Sequence, residues 1–186
     1  MSLAGQRLDG SRYVLVPRTL VFGFRDGKVL LQKVPPKRGA WAGLWNGIGG
    51  HIEPGESAAQ AAAREFHEET NLSLTELRLA GGVIVDLGAS PGIGISVFSG
   101  RVGDGTPVAG AEGELRWFVP AETRPEDLVE DLPTLLPRAM ACLNGAPPFS
   151  AIYRYDSSGR LTLVATKAAS AENKYTRDRN ASLCEH

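Results

Sequence analysis

The sequence predicts a layered α/β/α domain, and three observations predict it. Short β-rich runs recur from residue 13 to residue 165, a strongly capped helix interrupts them after residue 57, and a second, more apolar helical segment follows near residue 132. A chain of 186 residues with 42% hydrophobic content can bury one sizeable core, and no linker-like stretch divides it. One domain is therefore expected over 1–166, with the polar, unpatterned residues 167–186 as a disordered tail.

In chain order, Tyr13 to Val16 and Thr19 to Phe24 are β-rich, and Arg25-Asp26-Gly27-Lys28 is a tight-turn signal leading into Val29 to Val34, which makes a hairpin. Pro35 to Gly43 is loop chemistry, with Lys37 and Arg38 available to meet phosphate and Trp41 the best candidate for a pocket wall. Leu44 to Ile52 reads as a short strand broken by glycines, which lets backbone approach a ligand closely. Ser57 and Gln60 form a capping box that starts a helix over Ala58 to Thr70, and Asn71 ends it. Leu77 to Leu87, Ile93 to Val102 and Leu115 to Val119 are further strands. Pro125-Glu126-Asp127 marks a helix start leading to an apolar helix near Leu132 to Leu143, stopped by Asn144-Gly145. Ala151 to Tyr155 and Leu161 to Ala165 flank a turn and add edge strands.

Twenty basic residues against 21 acidic ones give a net charge of −1, without the footprint of a protein that binds long nucleic acid. Cys142 and Cys184 form no CxxC pair, and His51, His67 and His186 form no HExxH, so neither a zinc cluster nor a disulfide framework is expected. There is no apolar leader at residues 1–10 and no run long enough to span a bilayer. The expectation is a cytoplasmic protein with no membrane association, acting as a monomer or homodimer on a small-molecule partner.

The helix over 58–70 breaks a local rule. At 3.6 residues per turn Ala59, Ala62, Ala63, Phe66 and Thr70 make a narrow apolar face, whereas Ala61, Glu65, Glu68 and Glu69 share another. Like charges at this spacing cost roughly 0.2–0.5 kcal/mol per pair, acids in the last turns oppose the helix dipole, and Arg64 alone is too little to neutralise them. Hard cations with oxygen ligands are the natural remedy. Glu65 and Glu69, one turn apart, can converge on one cation, with Glu68 beside them for a second ion or for orienting water.

Gly50, then Glu56 after five residues, Arg64-Glu65-Phe66 after seven more, Glu68-Glu69 and Asn71-Leu72 together resemble the Nudix box. The family's final glycine is replaced by Asn71, the commonest non-glycine residue at a left-handed helix end. The resemblance implies an α+β fold, with a mixed β-sheet sandwiched between helices, and Mg²⁺ as cofactor, with Mn²⁺ able to substitute. It implies that Glu65, Glu68, Glu69 and Arg64 are catalytic, that the carbonyl of Gly49 joins the three glutamates as a metal ligand, that Arg64 clamps the carboxylates, and that Gly50, Glu56 and Asn71 support the loop and helix.

Within the family, Lys37-Arg38-Gly39, Trp45-Asn46-Gly47 and Gly105-Thr106-Pro107-Val108 followed by Glu112 and Trp117 are similar to the 8-oxo-dGTP diphosphatases of MutT and animal type. This likeness implies Glu112 as a further metal ligand, with Glu114 as the fallback, and Asn46, Glu130 and Asp131 as base-contacting residues. Ala40-Trp41 replaces the Phe-Gly of the animal enzymes and His51 stands where lysine is frequent, so stacking and phosphate contacts are expected to differ. The expected activity is hydrolysis of a nucleoside triphosphate, foremost an oxidised purine dNTP such as 8-oxo-dGTP, to the monophosphate and pyrophosphate. The alternatives are a dinucleoside polyphosphate or nucleotide-sugar hydrolase and a non-catalytic ligand sensor. No tyrosine follows the box before Tyr153, which removes one marker of the diadenosine-type enzymes.

Overall fold

The computed structural model describes residues 12–37, 39–110 and 113–168, the last four by backbone alone. Eight strands and two helices follow in the order β1 (Leu15–Arg25), β2 (Lys28–Lys33), β3 (Trp45–Asn46), α1 (Ala58–Thr70), β4 (Leu74–Asp86), β5 (Gly92–Val102), β6 (Leu115–Phe118), α2 (Leu132–Leu143), β7 (Phe149–Tyr155) and β8 (Leu161–Ala168). They form one mixed sheet in the order β3-β2-β1-β5-β4-β7-β8, with β6 also paired to β2. The β1–β5 and β4–β7 pairs are parallel and the others antiparallel.

The period-2 alternation of β1 sends its side chains into two cores. Leu20, Phe22 and Phe24 join a cluster with Leu132, Leu135, Leu136 and Ala139 of α2, whereas Val21 joins Ala62 and Phe66 of α1. The helices thus cover opposite faces of the sheet, as the α/β/α expectation requires. Among the described residues no helix is long and apolar enough to cross a membrane.

Several elements differ from the sequence reading. The two runs at the start are one strand, because Pro17 sits where its missing N–H costs nothing in the β1–β5 ladder. Residues 17, 19 and 21 of β1 face the 48–52 segment, with Thr19 N–H bonded to the Gly50 carbonyl at 2.9 Å and the Pro17 carbonyl accepting from Ile52 at 3.3 Å. Pro125 opens a short 3-10 turn rather than the helix. The chain first returns to β3, where Val129 N–H bonds the Trp45 carbonyl at 3.0 Å, and only then enters α2, with Pro133 in its first turn. Strand β8 runs to Ala168, past the boundary expected at 166. The remaining tail and Cys184 lie outside the described residues.

The apolar face assigned to α1 also needs correction. Ala59 and Ala63 are exposed, whereas Ala61, Ala62, Phe66, Glu69 and Thr70 are buried. The inward side of the helix is rotated toward the glutamates because Ala62 and Phe66 pack with Val21 of β1 and Ile48, which brings Glu65 against Gly50 and buries Glu69.

Candidate active site

The capping box is formed as expected: Ser57 N–H donates to Gln60 Oε1 at 2.9 Å and Gln60 N–H to Ser57 Oγ at 3.3 Å. At the other end Asn71 takes the left-handed conformation, φ 57° and ψ 22°, and its N–H closes onto the His67 carbonyl at 2.7 Å. These two caps fix how far the helix runs past the glycine loop. The loop itself needs glycines, because a Cβ at Gly49 would overlap the Thr19 carbonyl and one at Gly50 would overlap the Glu65 carboxylate.

Arg64 accounts for much of the electrostatics. It donates to both oxygens of Glu56, to Glu65 Oε1 at 2.8 Å, to Glu68 Oε2 at 3.2 Å and to the His51 carbonyl at 3.2 Å. One arginine therefore meets three carboxylates, more than its single charge suggested. A network anchored by a bidentate pair is the arrangement in which ion pairs contribute most. Arg64 and the Glu53 N–H hold the Glu56 carboxyl below its usual range.

The three helix glutamates are not equivalent. Glu69 is buried, Glu65 is largely so, and Glu68 is 58% exposed, its carboxylate turned to Arg64. Among the described residues no three acidic, histidine or cysteine side chains converge on a ready-made metal centre. Of the three helix glutamates, Glu65 and Glu69 line one cavity together with Gly49, Gly50 and Glu53, and Glu68 is not in its lining. That donor set is hard oxygen, and the missing Cβ at Gly50 leaves the Glu65 carboxylate room beside the loop. It suits a cation such as Mg²⁺, which takes one or two protein carboxylates and completes its shell with water and substrate phosphates.

This cavity, about 520 Å³, is large enough for a nucleotide-sized ligand. Glu65, Glu69 and the glycine loop line it together with Trp41, Asn46 and Asp131. Asp131 is 9% exposed, and burial, aided by the charge of Glu130, pushes its carboxyl up to about 6. Asn46 Oδ1 accepts the Gly47 N–H at 2.8 Å, which commits the amide oxygen and leaves the amide nitrogen as donor.

Other expected site residues lie elsewhere. Lys37 is exposed and outside the cavity lining. Glu130 is also exposed and is used structurally, its Oε2 accepting the Leu161 N–H at 3.1 Å to pin β8. Glu114, the fallback ligand, pairs with Arg116 and Lys33. Arg38 and Glu112 lie outside the described residues. The sequence reading missed Arg18, Thr19, Gln32 and Tyr155, all of which line the cavity. Arg18 Nε, Thr19 Oγ1 and Gln32 Nε2 are buried there without hydrogen-bond partners among the described residues. A polar residue at an inward position of an otherwise apolar strand was the available signal, and Gln32 after Val29-Leu30-Leu31 is such a residue.

A family model described as NUDIX domain matches residues 14–139. The chain is 37% identical over 101 residues to the oxidized purine nucleoside triphosphate hydrolase of Mus musculus, a span of 54% of this chain and 64% of that one. It thus spans somewhat less than two thirds of that relative. The solution structure of the E. coli ORF135 protein superimposes with a TM-score of 0.56 at 30% identity, covering 75% of this chain and 96% of that one. The MutT protein of Bacillus halodurans matches with a TM-score of 0.64 at 22% identity over 82% of this chain and 97% of that one, a likeness of fold.

Proposed function

The chain belongs to the NUDIX family, and from that premise we propose that it is a Nudix hydrolase that cleaves a nucleoside triphosphate, foremost an oxidised purine dNTP such as 8-oxo-dGTP, to the monophosphate and pyrophosphate. The observation that carries this reading is that one cavity is lined both by the carboxylates of Glu65 and Glu69 and by amide, acid and aromatic groups at Asn46, Asp131 and Trp41. Phosphates carry dense negative charge and approach carboxylates only through a cation, whereas a base is held by aromatic surface and a few directed hydrogen bonds.

In this reading Glu65, Glu69 and the Gly49 carbonyl would hold Mg²⁺, with Mn²⁺ as substitute, and Glu68 and Glu112 would assist. A bound divalent cation would supply phosphate charge neutralisation and a more acidic water for in-line attack at phosphorus. The chain's own part is positional. Arg64 keeps Glu65 and Glu68 oriented while tying them to Glu56, and the glycine loop gives the phosphates access to backbone. Trp41 offers an aromatic face, and Asn46 and Asp131 offer hydrogen bonds to the base edge. The protein would act in the cytoplasm on a free nucleotide.

The test is pyrophosphate release from a nucleotide panel containing 8-oxo-dGTP, dGTP, a dinucleoside polyphosphate and a nucleotide sugar, each with and without Mg²⁺. Metal-dependent turnover with 8-oxo-dGTP at the top is the expected outcome. Preference for either of the last two compounds would move the substrate class, and inertness toward all four would favour a sensor.

A further inference from the structure

Gln32 projects from β2 into the cavity, directly opposite Asn46 in the β2–β3 register. Its amide nitrogen is buried and meets no acceptor among the described residues. Buried amide groups are paired in nearly all folded proteins, so this position calls for an acceptor brought from outside the fold. Asn46, its partner in the register, accepts the Gly47 N–H with its amide oxygen, so the β2–β3 wall carries two amide groups whose nitrogens are available as donors. Two adjacent donors match carbonyl oxygens and oppose amino groups, which would set donor against donor.

We propose that Gln32 is a specificity-determining residue whose amide donates to a carbonyl oxygen on the base of the bound nucleotide, so that the site selects keto bases over amino bases. This rests on the reading above that the cavity takes the base of a nucleotide. The Gln32 backbone is held by pairing to both β3 and β6, Asn46 on one side and Leu115 on the other, so its side chain is presented by a fixed strand rather than a loop. That rigidity turns one hydrogen bond into discrimination, because the strand does not shift to accommodate a mismatched base.

The experiment compares 8-oxo-dGTP with 8-oxo-dATP, which share the oxidised position and differ at C6 (keto against amino), at N1 and in the 2-amino group of guanine, with 8-oxo-dITP as the keto control that lacks that 2-amino group. Gln32→Met keeps the length and removes the donor. It is expected to lower kcat/KM for 8-oxo-dGTP about tenfold, through KM, with kcat within about twofold and 8-oxo-dATP little changed. Gln32→Glu keeps the shape and reverses the hydrogen-bond polarity, so the keto substrate should lose more and the amino substrate should gain. Equilibrium binding of 8-oxo-dGMP and 8-oxo-dAMP without metal gives the same comparison independently of turnover. Wild-type inertness on triphosphates would overturn the proposed hydrolysis and leave the monophosphate pair to decide on Gln32. Equal losses on both bases, no loss in Gln32→Met, or no preference between the monophosphates would overturn the assignment, a bridging water then being the partner.

Discussion

The guanidinium of Arg64 holds the Glu56 carboxylate with two nitrogens, Nη2 to Oε1 at 2.7 Å and Nε to Oε2 at 3.1 Å, and so ties the loop before α1 to the middle of the helix. The same loop carries Gly49 and Gly50, so the pair also sets where the cavity wall lies against Glu65. A carboxyl held below its usual range contributes stability that is present above its unfolded pKa, about 4.3, and is lost as pH falls through the folded value. Glu56→Gln should therefore melt below wild type at pH 7, with the gap closing as pH drops below about 4. Thermal melts from pH 3 to 7 check this, and a gap independent of pH would assign the loss to packing.

Asn71 gives a second test of how the helix is terminated. Its left-handed backbone suits asparagine or glycine and costs other residues roughly 1–2 kcal/mol, with β-branched side chains faring worst. Asn71→Gly should melt within about a degree or two of wild type, whereas Asn71→Val should fall by several degrees. Equal melting of the two variants would mean that the helix end is set by something other than this residue's conformation.

What could be read from the sequence follows the range of the forces involved. The capping box at Ser57, the left-handed Asn71 and the hairpin turn at Asp26-Gly27 are local, and all appear where the pattern places them. The rotation of α1 is not local. Helical periodicity identified a face but not which face the sheet would take, and Phe66 with Ala62 settled that by packing on Val21 and Ile48. Glu130 and Gln32 depend on contacts distant in sequence. The hydrogen bond that Glu130 accepts from Leu161 N–H needs β8 to return beside it, and the place of Gln32 in the cavity needs β3 and the 48–52 loop.

Glu69 is the buried member of the acidic trio and lines the cavity with Glu65. Replacing it with glutamine keeps the volume and removes the anionic oxygen proposed to hold the cation, while relieving repulsion with its helical neighbours. Glu69→Gln should lose activity by on the order of 10²- to 10³-fold at saturating Mg²⁺ and bind Mn²⁺ more weakly by calorimetry, with a far-UV spectrum unchanged. Near-normal turnover would remove Glu69 from the metal-binding set.

If Asp131 contacts the base as proposed, it connects pH to base choice. Burial raises its carboxyl to about 6, so it is protonated in acid and ionised above that value. The unfolded chain gives up the same proton near 3.9, so stability contributed at this position falls as pH rises from about 4 to about 6, by roughly 3 kcal/mol at the most. Asp131→Asn should lack that slope. The effect on selectivity runs the other way. Oxidation at C8 turns guanine N7 from acceptor to donor, and an ionised carboxylate accepts from that donor but faces the lone pair of ordinary N7. A neutral acid can donate to ordinary N7 and accept from the oxidised base, so it discriminates less. One such mismatch is worth about 1–3 kcal/mol, or roughly ten- to hundredfold. The ratio of kcat/KM for 8-oxo-dGTP over dGTP should therefore rise with pH through about 6 in wild type. In Asp131→Asn, whose amide offers the same donor and acceptor at every pH, the ratio should stay low and flat while turnover of 8-oxo-dGTP changes less. Glu130→Gln keeps an acceptor for Leu161 N–H and removes a charge that helps raise the Asp131 carboxyl, so the ratio should stay near wild type at pH 8 and its rise should move to lower pH. A wild-type ratio independent of pH between 5 and 8, or one that Asp131→Asn leaves intact, would place recognition of the oxidised edge on other residues.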